Sequence, residues 1–261
     1  MRKSKFILSS WLMVAAFIIS GTASAGPNIA NGKTIFTQGK GDAQPCQTCH
    51  GENAQGNDAM GAPRLANIGY GYVVKQLTDF SQDKRTPSGL GAVMNGFAKA
   101  LSDQDRRDVA AYVNSLKTTP EISDLKALKD GGQQIGEAYK GMELVHNGRL
   151  DPTGMGNNTP ACSSCHGYNG LGVDPIFPKI GQQKYVYLLN QLHNWRANDS
   201  DVKNGTIARK NDPDAMMRAV AKNLSDDDIL NLAAFLSSAP PTKGSGDTAP
   251  DNKTLLESVT K

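Results

Sequence analysis

The chain has 261 residues, 28 basic and 25 acidic side chains, four cysteines and four histidines. That length accommodates two small domains, and no basic stripe of the kind that holds nucleic acid runs through it. Three of the basic residues, Arg2, Lys3 and Lys5, sit at the extreme N-terminus; without them the chain carries 25 charges of each sign and has no net pull on a charged partner.

In chain order, residues 1–25 read as an export signal. Arg2, Lys3 and Lys5 give a basic start, residues 6–20 are largely apolar, and Ala23-Ser24-Ala25 is a small-residue cleavage site. The apolar run is shorter than the ~20 residues a membrane-spanning helix needs, so cleavage after Ala25 is expected. Residues 26–118 then read as a first helical domain, opening with a helix near 29–36. Next comes Cys46-Gln-Thr-Cys49-His50. C-x-x-C-H is the attachment site of c-type haem: one helical turn places two thiols along a porphyrin edge and turns the imidazole toward the iron. A glycine-rich loop around Gly51 and Gly56 follows, then an apolar-striped helix over 72–80. Ser102 to Asp105 form a capping box, and Val109, Tyr112, Val113 and Leu116 make the buried stripe of a closing helix.

Residues 119–133, with Pro120 and the pair Gly131-Gly132, read as a linker. Residues 134–240 then repeat the first unit. An opening helix near 135–145 precedes Cys162-Ser-Ser-Cys165-His166, which holds the remaining two cysteines. Gly51, Asn53 and Gly56 match Gly167, Asn169 and Gly172. Pro63, Tyr70, Tyr72, Gln76, Leu77 and Phe80 match Pro178, Tyr185, Tyr187, Gln191, Leu192 and Trp195. A second capping box, Ser225 to Asp228, heads a stripe of Ile229, Leu232, Phe235 and Leu236. Two motifs in two copies of one repeat argue for one cofactor per copy, against a single Cys4His2 zinc site and against C-x-x-C disulfides, which leave both histidines unexplained. Residues 241–261 form a polar tail with the composition of a disordered segment.

The second axial ligand decides what a haem iron can do. Met94 and Met217 stand at equivalent positions, each seven residues before the leucine that precedes a capping-box serine. They are the expected partners of His50 and His166. Met216 and Met155 compete for the second site, although neighbours on a helix turn by ~100° and Met216 and Met217 cannot equally face one iron. His146 and His193 have no counterpart in the first half, which argues against bis-histidine ligation.

Two class I cytochrome c domains in tandem, each with C-x-x-C-H, a following proline (P-R-L at Pro63, P-K-I at Pro178), a Y-x-x-x-Q-L helix and a late methionine before L-S-D, resemble the dihaem cytochrome c4 family over nearly all of residues 28–238. The resemblance implies an all-α fold of two domains about a pseudo-twofold axis and two covalently attached haem c groups. It implies carbonyls of Pro63 and Pro178 that accept the Nδ1 protons of His50 and His166. It also implies periplasmic single-electron delivery between redox proteins, typically toward a membrane terminal oxidase, with peripheral membrane association as one arrangement. Two readings compete: the cytochrome subunit of a larger dehydrogenase or reductase complex, and a dihaem enzyme with an open iron. Departures from the family pattern are the long stretch between His146 and Cys162, an extra loop near 198–212, and the tail.

Overall fold

The computed structural model describes residues 26–87, 89–153, 158–198 and 207–241; the expected signal, Met155 and all but the first residue of the tail lie outside them. Eleven α-helices are present among the described residues: α1 (Ile29–Gln38), α2 (Gln47–His50), α3 (Tyr70–Ser81), α4 (Val93–Lys99), α5 (Asp103–Ser115), α6 (Leu125–Asp130), α7 (Ala138–Asn147), α8 (Ser163–His166), α9 (Tyr185–Arg196), α10 (Met216–Ala221) and α11 (Asp226–Ser238). Pairing between extended segments is limited there to isolated bridges, and no described helix is long and apolar enough to cross a membrane.

The closing helices start where their chemistry dictates. Ser102 accepts a hydrogen bond from the N–H of Asp105, whose carboxylate accepts from the N–H of Ser102; Ser225 and Asp228 do the same for α11. Such a cap is worth about 1 kcal/mol. Each carboxylate is gripped again from behind, by Lys40 Nζ at 2.7 Å on Asp105 and by Arg149 Nη1 at 2.7 and 2.8 Å on Asp228. Lys40 follows α1 as Arg149 follows α7, so one contact pins the opening helix to the closing helix in both halves.

Those helix pairs cross closely because each opening helix presents a glycine. A Cβ on Gly32 would lie 2.0 Å from the Asp108 carbonyl oxygen, and one on Gly141 would lie 2.0 Å from that of Asn231. Around the crossings two separate cores close. Ile35, Phe36, Val109 and Val113 are buried in the first; Val145, Ile229, Leu232 and Phe235 are buried in the second. Burying each such side chain contributes roughly 1.5–3 kcal/mol.

Two details differ from the sequence reading. α7 begins at Ala138 rather than near 135, because Glu137 is extended and its N–H is taken by Asn231 Oδ1 at 2.7 Å. The joining stretch contains α6, capped by Asp124, and Leu125 and Leu128 pack on the second core.

The halves meet along α3 and α9. Neither helix has a side-chain cap of its own: Gly69 precedes α3 and Lys184 precedes α9. Each borrows one from the opposite half. Asp174 accepts from the N–H groups of Gly71 and Tyr72, both at 3.1 Å, and Asp58 accepts from the N–H of Val186 at 3.0 Å. Beside them Gln183 spans the Arg64 backbone, accepting from its N–H at 2.7 Å and donating to its carbonyl at 3.0 Å.

Candidate haem sites and the domain seam

α2 and α8 are single turns, each beginning from a cysteine in helical conformation and ending at a glycine in a left-handed one. The turn carries two thiols and a buried imidazole, and all four cysteines are free of disulfides. Burial pushes the Cys46 and Cys162 thiols up to about 11, opposed by backbone hydrogen bonds. In both halves the chain then doubles back beneath the histidine. The N–H of Gly56 donates to the His50 carbonyl at 2.8 Å, and that of Gly172 donates to His166 at 2.6 Å.

The doubling back delivers a proline carbonyl to each imidazole. His50 Nδ1 lies 2.9 Å from the Pro63 oxygen and His166 Nδ1 lies 2.9 Å from that of Pro178. A carbonyl can only accept, so Nδ1 bears the proton and the Nε2 lone pair is left bare. Burial holds both imidazoles below the ordinary histidine range, against the opposing pull of that hydrogen bond. A neutral imidazole oriented through its other nitrogen is what a metal requires. The thiols and imidazoles of the two turns therefore fit two covalent haem groups.

Met94 and Met217 each occupy the second position of a short helix, α4 and α10, and both are half-buried. Met217 packs on the second core, whereas Met216 is 40% exposed. The remaining histidines are engaged elsewhere. His146 stacks on Tyr168 with Nε2 3.0 Å from Asn169 Oδ1, and His193 Nδ1 lies 3.2 Å from Arg196 Nη2.

Between the halves lies a polar cluster that the sequence reading missed. Arg85 Nη1 donates to Gln76 Oε1 at 2.7 Å, and its Nη2 donates to Gln191 Oε1 at 2.8 Å and the Tyr187 hydroxyl at 3.1 Å. Arg209 answers from the other side, to Gln191 Oε1 at 2.6 Å, Gln76 Oε1 at 2.9 Å and the Tyr72 hydroxyl at 3.3 Å. Each guanidinium also lies over an aromatic ring at equivalent places, Arg85 over Phe80 at 4.6 Å and Arg209 over Trp195 at 4.1 Å. The tyrosines and glutamines were visible as repeat matches. The arginines were not, because the loops that carry them differ in length.

A helical chain that builds the same thiol and imidazole turn in each half has the architecture of a c-type cytochrome. A sequence model of the cytochrome c family matches residues 29–117 and 156–240. The chain belongs to this family, in its two-domain cytochrome c4 branch, and carries two covalently bound haem c groups. It is 36% identical over 226 residues to a protein of Stutzerimonas stutzeri (strain A1501) named thiosulfate dehydrogenase electron acceptor, covering 86% of this chain and 91% of the relative. It is 36% identical over 205 residues to cytochrome c4 of Stutzerimonas stutzeri, covering 76% and 86%. Its fold is similar to thiosulfate dehydrogenase (TsdBA) of Marichromatium purpuratum, with a TM-score of 0.66 and 29% identity; the match covers 86% of this chain and 43% of that one.

Proposed function

We propose that this dihaem electron-transfer protein holds both irons between a histidine and a methionine, His50 with Met94 and His166 with Met217, and passes single electrons between periplasmic redox proteins. The observation that carries the reading is the mirrored pair of His–Pro contacts, each accompanied by a half-buried methionine at the same position of an equivalent helix. When bound, each haem supplies a one-electron ferric–ferrous couple. Cys46, Cys49, Cys162 and Cys165 tether it, the Pro63 and Pro178 carbonyls fix the imidazoles, and the thioethers favour the reduced state. A histidine and a methionine held to each iron would leave no position for a substrate, and the chain would then act as a carrier rather than an enzyme.

In this reading the donor is a dehydrogenase, and the electron leaves toward a terminal oxidase. The relative named as an electron acceptor of thiosulfate dehydrogenase supports that direction of entry. A second reading, a cytochrome subunit held permanently in a dehydrogenase complex, is favoured by the match to part of a longer thiosulfate dehydrogenase chain.

Haem quantification with oxidised and reduced optical spectra tests the ligation. Two haems per chain, each with a methionine-to-iron charge-transfer band, are expected. Met94→Ala should abolish one band, lower that potential and admit imidazole, and Met217→Leu should do the same at the second site. Met216→Leu should leave both bands intact; loss of a band in that variant would transfer the assignment to Met216. Co-purification at high salt separates the carrier from the fixed subunit.

A further inference from the structure

The two helices that carry the methionines are too short to hold themselves. α4 and α10 have seven and six residues, and neither has a side-chain N-cap; helices of that length are unstable in isolation. Shortly after each comes a leucine, Leu101 or Leu224, buried in the core of its own half. Carbonyls at the end of a helix lack a partner within it, and an arginine near the C-terminus can supply one. In both halves an arginine does so. Arg106 Nη1 donates to the carbonyls of Leu101 and Ala98, the latter at 2.9 Å, and Arg196 Nη1 donates to that of Leu224 at 2.9 Å. The other end of each fork, Nη2, is held by the same acid of the repeat, Asp103 in the first half and Asp226 in the second.

The two clamps grip the same corner but come from different helices. Arg106 belongs to α5, at the place that Ile229 fills in α11, and Arg196 ends α9, at the place that Ser81 fills in α3. Of the two, Arg196 alone has a histidine beside it. His193 stands where the first half has Thr78, with Nδ1 3.2 Å from Arg196 Nη2. A guanidinium can only donate, so Nδ1 carries the lone pair and Nε2 the proton. A proton added at Nδ1 removes that acceptor and sets two cations against each other. From α11 the pair faces Asp226, whose side chain is 77% exposed. On α10, Arg218 is turned to Asp212 at 2.9 Å and Lys222 is exposed. Burial and the Arg196 charge hold the His193 imidazole below the ordinary histidine range, against the pull of Asp226.

We propose that Arg106 and Arg196 are positioning residues for the two methionine ligands, and that His193 makes the second clamp release on acidification while the first holds. The inference rests on ligation by Met94 and Met217. A proton on His193 drives Arg196 from the Leu224 carbonyl, frees the corner between α10 and α11, and lets Met217 part from the iron more often. Arg106 leans on Asp103, with no histidine beside it. The second haem therefore answers to pH where histidines titrate, and the first does not.

The test uses the purified holoprotein between about pH 7.5 and pH 4.5, a range that brackets the ordinary histidine value. In Met94→Ala the methionine charge-transfer band reports the second haem alone, and in Met217→Leu it reports the first. A variant that keeps the whole band at neutral pH overturns the ligation itself, and the clamp's role with it. With ligation intact, entry of N-methylimidazole at constant free base should quicken about tenfold at the second haem as pH falls below about 6.5. Its band should weaken in step, and the first haem should show neither change. His193→Thr should abolish the pH step. Arg196→Gln should give fast entry at every pH, with Arg196→Lys restoring part of the hold at neutral pH, and Arg106→Gln should quicken entry at the first haem alone. A pH step that persists in His193→Thr overturns the histidine's part. Arginine variants that lower the melting temperature but keep native ligand entry, band and pH profile overturn the clamp and leave both arginines purely structural.

Discussion

Replacing Asp174 by alanine should loosen a helix in the other domain. Its carboxylate accepts from two first-turn N–H groups of α3, Gly71 and Tyr72, and Gly69 cannot substitute because it has no side chain. Losing an N-cap costs about 0.5–2 kcal/mol, and losing a negative charge at a helix N-terminus costs about 0.3–1 kcal/mol more. The contact is exposed, so water takes over the freed donors and no buried-donor penalty is added. A net loss of about 1–2 kcal/mol should speed local opening of α3 by roughly 5–30-fold. Hydrogen exchange at Gly71, Tyr72 and Val73 reads this directly. Asp174→Asn, which keeps an acceptor but not the charge, should fall between the two. Asp58→Ala should produce the reciprocal effect at the start of α9, where Val186 is the capped residue. If Asp174→Ala quickens exchange only around 173–177 and leaves α3 protected, the cross-domain cap is not what holds that helix.

Gly141→Ala should destabilise the second domain by about 1–3 kcal/mol or more, because the new methyl group meets the Asn231 carbonyl at 2.0 Å. Gly96→Ala, in a helix with open space around it, should instead be neutral or stabilising by up to about 1 kcal/mol; calorimetry of the two variants side by side checks the contrast. Asp105 governs part of the acid limit. Burial acts to raise its carboxyl, but Lys40, Ser102 and Asn31 override it and bring it from 3.8 to about 2. A depressed folded-state value adds stability above the unfolded value, lost as pH falls through the folded one. Denaturant unfolding should therefore show a loss between about pH 4 and pH 2 that Asp105→Asn flattens, while that variant starts from lower stability at neutral pH.

Local chemistry made the closing helices readable. Ser102 and Asp105, like Ser225 and Asp228, stand three residues apart and announce α5 and α11, and the apolar stripe behind each predicts its partner. The haem turns are equally local, since five contiguous residues carry both the tether and the ligand. The Pro63 and Pro178 contacts followed from the resemblance rather than from spacing, and the structure forms both. The seam was hidden because its partners lie more than a hundred positions apart: Asp174 with Gly71, Arg85 with Gln191, Gln183 with Arg64. Nothing in the sequence around Asp174 marks it as the cap of a helix in the other half. α6 was obscured by the proline and glycines that flank it, which read as a linker although Leu125 and Leu128 fasten the stretch to the second core.

Two sets of contacts across the seam come in exchanged pairs: Arg85 reaches Tyr187 as Arg209 reaches Tyr72, and Asp174 caps α3 as Asp58 caps α9. That is the form of a self-complementary dimer interface, in which one surface patch meets its own copy. A half-sized chain with this patch would make every such contact twice by associating with itself. Joining the two copies in one polypeptide removes the dilution penalty of that association, and it also frees each copy to change alone. Lys75 and Asp79 on α3 correspond to Asn190 and Asn194 at the matching places of α9. One side of a once-symmetric surface thus carries a charge pair that the other lacks. Two centres placed in unlike surroundings need not share one potential, and fusion is what permits that inequality to be inherited as a single unit.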